Sequence, residues 1–296
     1  MSRDRVQVSG IETAANSWLA RHTSLTTRNC SSLAATVTQL LDRIETDRKT
    51  VIGIAGAPGS GKSTLARLLV NLLDQLGLPA CHLSLDDYYL PRARRERLAR
   101  IHHPLLLQRG VQGTHELDRL MEDLDRIRHG VAVGMTIPVF DKSADDRAPA
   151  RQWRTLEHDP QVTVLEGWCV GGPPQDRSEL ANDANHLERG EDKNGYWRRR
   201  LHYAWSDYHL ALGSRLDEVW YIRIPDWNCV IDWRWQQERE LPVKNLKSRA
   251  EVSDFLASFE RIVSHMQDTH PDWADVILSA DRDHRIELTG KSERPF

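Results

Sequence analysis

One stretch near residue 50 constrains the fold more than any other part of this 296-residue chain. It reads Val-Ile-Gly-Ile-Ala-Gly-Ala-Pro-Gly-Ser-Gly-Lys-Ser-Thr and occupies residues 51–64. A short apolar run predicts a buried strand, a glycine-rich turn follows, and leucines then recur at helical spacing from Leu65 to Leu76. This order of strand, glycine loop and helix is typical of a loop that binds phosphate groups.

The loop carries the residue types that a nucleoside triphosphate requires. Gly56, Gly61, Lys62 and Ser63 fill the pattern G-x-x-x-x-G-K-[ST]. The glycines let the backbone N–H groups turn toward phosphate oxygens, and the helix that follows adds partial positive charge. Lys62 is expected to reach the β- and γ-phosphates, and the Ser63 hydroxyl to bind magnesium. The predicted nucleotide contacts in the loop are Gly56, Ala57, Pro58, Gly59, Ser60, Gly61, Lys62, Ser63 and Thr64.

Composition and the first residues narrow the class of protein. The net charge of −3 includes no polybasic excess, so we expect neither a nucleic-acid nor a membrane partner. The chain starts Met-Ser-Arg-Asp-Arg, and no apolar run approaches the length of a membrane span, which predicts a cytoplasmic location. The four cysteines are widely spaced without a C-x-x-C pair, so we predict reduced, mostly buried thiols.

Apolar patterns on both sides of the loop predict one α/β domain with a mainly parallel sheet and helices on both faces. Before the loop, an amphipathic helix is predicted to start near Leu33 and to end near Asp47. We therefore divide the chain into an N-terminal helical extension packed on the core, residues 1–50, and a main domain, residues 51–296. Within that domain the polar segment 171–195, rich in glycine and proline, is predicted to be a mobile insertion. Further strands are predicted at 80–85, 162–165, 219–224, 275–279 and 285–288, and helices at 117–127, 197–212, 232–239 and 252–266.

Acidic residues follow two of the predicted strands. Asp86 and Asp87 come directly after the second strand, and Glu166 closes the third. Ligands of open parallel sheets sit beyond the carboxyl ends of the strands, so at least one of the paired aspartates should face the site. A carboxylate at the end of the third strand could hold magnesium or its water ligands.

Basic residues that could face the site lie in three connecting segments. Arg109, Thr114 and His115 lie in a glycine-punctuated loop before a helix, where they could hold a small anion. The stretch 141–147 follows Pro138, which excludes a central strand, so we expect an exposed charged connection. The predicted helix 232–239 carries two arginines that could close over a triphosphate.

Taken in order, these motifs resemble the phosphoribulokinase and uridine kinase superfamily, and within it D-glycerate 3-kinase and its bacterial relatives. The resemblance covers about residues 51–286 and implies a three-layer P-loop fold with a lid at about 226–249. The motifs that carry it, besides the loop, are Ser84-Leu85-Asp86-Asp87-Tyr88-Tyr89, Arg109-Gly110 with Gly113-Thr114-His115, Phe140-Asp141-Lys142-Ser143, Glu166-Gly167-Trp168, and Trp233-Arg234 with Glu238.

The resemblance also implies roles for single residues. Asp86 would take the proton of the acceptor hydroxyl, Glu166 would help to hold magnesium, and Arg234, together with Arg239, would belong to the lid. If the acceptor is glycerate, its carboxylate calls for a guanidinium partner. Arg109 is the first candidate and Arg147 the second, followed by His115 and Lys142. The full set of predicted acceptor contacts is Asp86, Arg109, Thr114, His115, Asp141, Lys142 and Arg147.

The resulting hypothesis is a kinase that uses ATP and Mg²⁺ to phosphorylate a small hydroxy acid, with D-glycerate as the first candidate. A kinase of the same superfamily acting on a nucleoside, pantothenate or a sugar phosphate is the main alternative. A nucleotide-binding regulator is a further one, although the Asn-Lys-x-Asp motif that guanine switches use is absent from the sequence. The sequence leaves open the oligomeric state and the roles of the N-terminal helix and the polar insertion.

Overall fold

A six-stranded sheet is the centre of the molecule in the computed structural model, which describes residues 5–239 and 246–291. The described helices, in chain order, are α1 (Arg5–His22), α2 (Thr27–Leu41), α3 (Lys62–Gln75), α4 (Arg92–Ile101), α5 (Leu117–Arg128), α6 (His186–Glu191), α7 (Tyr196–Gly213), α8 (Trp227–Arg239) and α9 (Arg249–Trp273). The described strands are β1 (Thr50–Gly56), β2 (Ala80–Ser84), β3 (Thr136–Ile137), β4 (Phe140–Asp141), β5 (Asp146–Arg147), β6 (Arg154–Thr155), β7 (Val162–Glu166), β8 (Glu218–Arg223), β9 (Val276–Ala280) and β10 (Ile286–Lys291).

The strand order of the main sheet is β10-β9-β8-β1-β7-β2, with β1 near the middle. Neighbouring strands from β9 to β2 are parallel, and β10 pairs antiparallel with β9. The register sets Ile54 and Ser84 beside Glu166 on the two sides of β7. The carboxyl ends of β1, β2 and β7 therefore meet at one edge, next to the glycine loop, as the predicted α/β P-loop fold requires.

Buried apolar side chains of the helices cover the sheet. The leucines of α3 are buried against β1, β2 and β7, while α9 packs on β8 and on α8. The short strands β4 and β5 form a separate hairpin, in agreement with the prediction that Pro138 keeps this region out of the main sheet. Cys30, Cys81, Cys169 and Cys229 are all buried free thiols, as predicted.

The N-terminal region differs from the sequence prediction. Helix α1 was not predicted, because its side chains from residue 10 onward bury only Ile11, Ala15 and Leu19, a stripe too narrow to give a clear amphipathic signal. Helix α2 ends at Leu41, earlier than the predicted end near Asp47. The two helices pack against each other and against α3.

The polar segment 171–195, predicted to be a mobile insertion, contains helical structure. It forms a short 3₁₀ helix, Arg177–Ala181, and helix α6. Two of its acidic side chains are buried and paired with arginines of neighbouring helices: Glu188 contacts Arg261 of α9 at 2.5 Å, and Asp192 contacts Arg198 of α7 at 3.4 Å. Buried ion pairs therefore account for part of the polar composition of this segment, and the rest of its charged side chains are exposed.

The predictions about cellular location and nucleic-acid binding are not tested by the fold. Among the described residues, no helix is both long and apolar enough to cross a lipid bilayer. A cytoplasmic location and the lack of a nucleic-acid partner remain predictions. Residues 240–245 of the predicted lid lie outside the described part of the chain.

Candidate active site

A cavity of about 1050 Å³ lies at the carboxyl ends of β1, β2 and β7. The glycine loop, the turn after β2, the end of β7 and helix α8 all contribute to its walls. Predicted site residues that line it are Pro58, Gly59, Gly61, Lys62, Ser63, Thr64, Asp86, Arg109, Lys142, Glu166 and Arg234. The cavity thus joins the predicted nucleotide loop to the predicted acceptor side.

The glycine loop has the backbone geometry that its sequence predicts. Gly56 has φ +152°, and a Cβ there would lie 2.9 Å from the carbonyl oxygen of Ile222 in β8. Gly61 has φ +97°, a left-handed conformation that side-chain-bearing residues rarely adopt. Lys62 donates a hydrogen bond to the carbonyl of Ala57 at 2.9 Å, and burial lowers its pKa. Gly56, Ala57 and Ser60 lie behind the cavity lining as part of the loop's framework.

A cluster of oxygen atoms lies beside the loop at the end of β7. Glu166 is 5% exposed, and its Oε1 accepts hydrogen bonds from the Ser63 hydroxyl at 2.9 Å and the Ser84 hydroxyl at 2.7 Å. The Nε2 atom of His82 lies 3.7 Å from the same oxygen. Burial acts to raise the pKa of Glu166, but His82 and the charge of Lys62 outweigh it, and the pKa lies below its ordinary value.

This cluster fits a magnesium ion by the chemistry of its donors. An ionised carboxylate and a serine hydroxyl are hard oxygen ligands, which magnesium prefers. The Ser63 hydroxyl and the Glu166 carboxylate meet next to the loop that would hold the phosphates, where such an ion would contact both. Ser84 and His82 were not predicted as site residues, although Ser84 belongs to a motif that the sequence singled out.

Asp86 faces the cavity from a single helical turn that follows β2. The turn is fixed because Leu85 and Tyr88 on either side are fully buried. Its Oδ1 accepts a hydrogen bond from the Tyr89 hydroxyl at 2.8 Å, and its Oδ2 accepts one from the Lys142 ammonium at 2.6 Å. Burial acts to raise the pKa of Asp86, but the charge and hydrogen bond of Lys142 outweigh it and hold the pKa well below its ordinary value.

Asp87 points elsewhere, which separates the two aspartates that the sequence could not distinguish. Its Oδ1 accepts a hydrogen bond from the backbone N–H of Phe140 at 3.2 Å, so it anchors the β4–β5 hairpin. Burial raises the pKa of Asp87. Asp86 lines the cavity and Asp87 does not.

Arg109 and Arg234 bring guanidinium groups to the acceptor side. Arg109 pairs with Asp145 and lies over the Phe140 ring, 5.7 Å from its centroid. Arg234 extends from α8, where Glu238 pairs with it at 3.2 Å, and burial lowers its pKa. Arg239, the other arginine of the predicted lid, lies over the Trp235 ring and outside the cavity lining.

Four further predicted contacts lie outside the cavity lining. Thr114 is fully buried and donates its hydroxyl to the carbonyl of Val111 at 2.6 Å. The Oδ1 of Asp141 accepts hydrogen bonds within its own turn, from the Ser143 hydroxyl and backbone. Arg147 pairs with Glu116 at 2.5 Å, next to the start of α5. The positions of these residues do not support the prediction that they contact an acceptor directly.

His115, the fourth of them, supports the site from behind. Its ring stacks on Tyr89 with a centroid distance of 4.4 Å, and its Nδ1 lies 2.8 Å from the Tyr208 hydroxyl. Burial lowers the pKa of His115 to about 3, so the ring is neutral at physiological pH. His115 therefore fixes Tyr89, which in turn holds Asp86.

An aromatic wall lies on the acceptor side, and of its residues the sequence motifs include only Trp168. Trp168, Phe255 and Phe259 line the cavity, and the rings of Trp168 and Phe259 meet edge to face at 4.9 Å. The Trp168 indole donates a hydrogen bond to the carbonyl of Gly110 at 2.8 Å, which ties the Arg109 loop to the end of β7. A Cβ at Gly110 would collide with the Phe259 ring. The helical spacing of Phe255 and Phe259 predicted only that they pack in the hydrophobic core.

The opposite end of the cavity is closed by segments far apart in sequence. Residues 22–29, which connect α1 and α2, line it together with residues 281–286, which connect β9 and β10. The Asn29 side chain donates to the carbonyl of Asp283, and Ser32 donates to the carbonyl of Ile286 at 2.9 Å. No sequence motif marks these residues, so only the fold could bring them to the loop.

The arrangement provides what phosphoryl transfer needs. The glycine loop with its buried Lys62, the oxygens of Ser63 and Glu166, and the Asp86 carboxylate share one cavity with additional cations. Transfer of a phosphoryl group requires positioning, charge neutralisation and a proton acceptor, with little covalent chemistry from the protein.

Comparison with known proteins agrees with this chemistry. A model of the Phosphoribulokinase / Uridine kinase family matches residues 51–171. An uncharacterized kinase of Schizosaccharomyces pombe, mug58, is 33% identical over 245 residues, which are 76% of this chain and 86% of that protein.

Two relatives with a stated activity are more distant or match a shorter part. The chloroplastic D-glycerate 3-kinase of Arabidopsis thaliana is 28% identical over 71% of this chain, and the match spans about half of that protein, 46%. A pantothenate kinase of Streptococcus agalactiae is 30% identical over 46% of this chain and 42% of its own length.

Solved structures share the fold. The YGR205w protein has a TM-score of 0.66 and 21% identity, and the superposition covers 96% of this chain and 99% of that one. A D-glycerate 3-kinase from Cryptococcus neoformans has a TM-score of 0.61, also at 21% identity, over 97% of this chain and 98% of that one. The chain therefore belongs to the phosphoribulokinase and uridine kinase family and is an ATP-dependent P-loop kinase.

Proposed function

We propose that this kinase transfers the γ-phosphoryl group of ATP to the 3-hydroxyl of D-glycerate, producing 3-phosphoglycerate and ADP. The observation that carries the proposal is that Arg109, Lys142 and Arg234 line the same cavity as Asp86. D-Glycerate carries a carboxylate, which cations bind, close to hydroxyls, one of which must reach a base. The resemblance to glycerate 3-kinases in sequence and fold supports the same acceptor.

Different residues of the site would bind the phosphate groups and the magnesium ion. Backbone N–H groups of the glycine loop and the Lys62 ammonium would hold the β- and γ-phosphates. Ser63 and Glu166 would hold magnesium, which supplies positive charge next to the phosphate oxygens when it is bound. Arg234 would add charge from the α8 side as the γ-phosphoryl group leaves ADP.

Asp86 would act on the acceptor. The acceptor oxygen forms a bond to the γ-phosphorus, and the bond from that phosphorus to the bridging oxygen breaks with its electron pair left on ADP. The hydroxyl proton passes to the Asp86 carboxylate. Because the pKa of Asp86 lies below its ordinary value, the carboxylate is ionised and able to accept a proton at physiological pH.

Arg109 is the guanidinium best placed for the acceptor carboxylate. Its ion pair with Asp145 uses Nη1, and the fork geometry of a guanidinium leaves further N–H donors for a second carboxylate. Its side chain is 19% exposed, so it is held in place and still open to the cavity. Arg147, the second candidate of the sequence analysis, is instead engaged with Glu116 outside the lining.

Pantothenate is the second candidate acceptor, and the aromatic wall favours it. Trp168, Phe255 and Phe259 give the cavity an apolar side, which an acceptor with both a carboxylate and a branched apolar portion would cover. Sequence similarity to pantothenate kinases over nearly half of the chain points the same way. D-Glycerate has no apolar portion that could contact this wall. The wall therefore favours pantothenate, whereas the cluster of cations favours either acceptor.

A coupled assay of ADP release tests the proposal. Purified enzyme with Mg-ATP would be given D-glycerate, L-glycerate, pantothenate and uridine in parallel, and phosphorus NMR would identify the phosphorylated hydroxyl. We expect turnover with D-glycerate and 3-phosphoglycerate as its product. Turnover with pantothenate and none with D-glycerate would overturn the choice of acceptor and leave the kinase assignment in place.

A further inference from the structure

The carboxylate proposed as the base is already engaged by two side chains. The Tyr89 hydroxyl donates to Oδ1 of Asp86 at 2.8 Å, and the Lys142 ammonium donates to Oδ2 at 2.6 Å. The Tyr89 contact leaves the carboxylate ionised and oriented. The Lys142 contact places a full positive charge beside Oδ2, and an ammonium partner reduces the affinity of a carboxylate for a proton.

The two partners of Asp86 differ in how firmly they are held. Tyr89 is 4% exposed, and its ring lies between His115, stacked at 4.4 Å, and Phe140, edge-on at 5.0 Å. The Lys142 side chain is 62% exposed, and its ammonium has no other hydrogen bond to the part of the chain that the structure describes. Tyr89 is therefore a fixed partner, whereas Lys142 can leave without breaking any packing.

The same hairpin also controls the second acceptor-side cation. Asp145, in the turn between β4 and β5, pairs with Arg109 and lies 3.1 Å from the buried Arg95. Lys142 and Asp145 thus present opposite charges to two groups of the cavity, Asp86 and Arg109. An acceptor carboxylate that enters between these groups competes with Asp145 for Arg109 and with Asp86 for Lys142.

We propose that Lys142 is a specificity-determining latch, which holds Asp86 in an ion pair until an anionic group of the acceptor takes over its ammonium. The proposal rests on the role of Asp86 given under the proposed function. With a negatively charged acceptor in the cavity, Lys142 moves to that charge and Asp86 becomes free to receive the hydroxyl proton. A neutral alcohol of similar size offers Lys142 no new partner and leaves the base engaged.

The latch would also protect ATP from water. In the absence of an acceptor, a water molecule near Asp86 could attack the γ-phosphorus, its proton passing to Asp86 and the bridging electron pair to ADP, so that ATP and water become ADP and phosphate. Pairing with Lys142 weakens Asp86 as the base for this reaction. Removal of the lysine charge should therefore increase hydrolysis while it weakens the binding of an anionic acceptor.

The decisive measurement is phosphate release from Mg-ATP with no acceptor present. Lys142→Met keeps an unbranched side chain of nearly the same length and removes its charge. We expect this variant to hydrolyse ATP roughly tenfold faster than wild type, the order of effect of one charge-assisted hydrogen bond. Lys142→Arg, which keeps the charge, should stay near the wild-type rate. Lys49→Met is the matched control, because Lys49 forms a comparable ion pair with Asp159 at 2.5 Å outside the cavity.

Two more measurements make the outcome unambiguous. The double variant Asp86→Asn/Lys142→Met should lose the added hydrolysis, since the latch acts through Asp86. The preference for D-glycerate over glycerol, its neutral analogue, should shrink by roughly tenfold in Lys142→Met.

Hydrolysis in Lys142→Met that equals the wild-type rate would overturn the latch, whatever happens to acceptor binding, and so would added hydrolysis that survives Asp86→Asn. Because hydrolysis is measured without any acceptor, this result is independent of whether D-glycerate is the true substrate.

Discussion

Two carboxylates at the ends of neighbouring strands differ in their burial and in their hydrogen-bond partners. Glu166 is almost fully buried and is bound by the hydroxyls of Ser63 and Ser84, which suits a metal ligand next to the phosphates. Asp86 is 30% exposed to the cavity and is bound by Tyr89 and Lys142. The difference in solvent access supports the proposal that Asp86, and not Glu166, accepts the hydroxyl proton.

The first prediction concerns the two adjacent aspartates. Asp86→Asn should lower kcat by about a hundredfold or more, the usual scale of general-base catalysis, and should leave ATP binding nearly unchanged. Asp87→Asn, the matched neighbour, should stay within about tenfold of wild type, because Asp87 lies outside the cavity lining and accepts a hydrogen bond from the hairpin backbone. Steady-state kinetics and ATP titration by fluorescence would check both. Equal losses of kcat in the two variants would show that Asp86 is not the general base.

The second prediction concerns the pH dependence of stability. Burial lowers the pKa of His115 to about 3, whereas an unfolded histidine titrates near 6.5. Between these values the unfolded chain binds a proton that the folded chain does not, so the free energy of unfolding falls as the pH falls below about 6.5. The contribution of His115 should be roughly 1.4 kcal/mol per pH unit.

His115→Gln should therefore make the free energy of unfolding less steep between pH 6.5 and 5 than in wild type, as measured by urea titration at several pH values. His158→Gln changes an exposed histidine and serves as the control, with an unchanged slope expected. A His115 variant with the wild-type slope would show that other groups carry the pH dependence.

At the scale of elements, the α1–α2 loop and the β9–β10 turn line the cavity on the side of the glycine loop. Side chains of two helices bind the backbone of the turn. Asn29 and Ser32 of α2 donate to the carbonyls of Asp283 and Ile286, and the Trp233 indole of α8 donates to the carbonyl of Arg282 at 2.9 Å. His284 completes the turn with φ +62°, and its ring lies 4.5 Å from that of Trp233. The N-terminal extension is thus joined to the turn that faces the glycine loop.

The third prediction follows from two arginines at this end. Arg28 of α2 and Arg67 of α3 line the cavity, are exposed, and form no ion pair with any residue between 5 and 239 or 246 and 291. Guanidinium groups there can stack on a base or bind phosphate oxygens. Arg28→Ala and Arg67→Ala should each raise KM for ATP by up to about tenfold and leave KM for the acceptor unchanged.

Arg21→Ala is the control for this prediction, because Arg21 is an exposed arginine of α1 that lies outside the cavity lining. Initial rates at varied ATP and fixed acceptor would separate the effects. An increase in KM for the acceptor alone would assign these arginines to the other end of the cavity.

The elements themselves were largely predictable from sequence, and their assembly was not. Strands β1, β2, β7 and β8 and helices α3, α5, α7 and α9 follow apolar periodicity, which is a local signal. The wall formed by residues 22–29 and 281–286 depends on contacts about 250 residues apart, such as the Ser32 to Ile286 hydrogen bond. Arg147 shows the converse, since its motif position predicted substrate contact while its nearest carboxylate, Glu116, holds it elsewhere.

At the scale of the whole molecule, the segment 171–195 is part of the same folded unit as the kinase core. Arg261 of α9 binds Glu188 through two hydrogen bonds, at 2.7 Å and 2.5 Å, and also donates to the carbonyl of Asn182 at 2.6 Å. Asp192 accepts the backbone N–H groups that start α7, including that of Trp197 at 2.7 Å. Helices α7 and α9 therefore depend on this segment for the pairing of buried polar groups.

The last prediction tests that dependence. Arg261→Met leaves the Glu188 carboxylate buried without its partner, and loss of one member of a buried ion pair typically costs about 3–5 kcal/mol. Arg249→Met breaks an exposed ion pair with Asp232, 2.8 Å apart, and should cost less than about 1 kcal/mol.

Urea unfolding would be followed by tryptophan fluorescence and by circular dichroism. The two transitions should coincide, because Trp197 beside the segment unfolds together with the sheet. Both transitions should move to lower urea in Arg261→Met. Separate transitions, with only the fluorescence change moved, would mean that the segment unfolds independently of the kinase core.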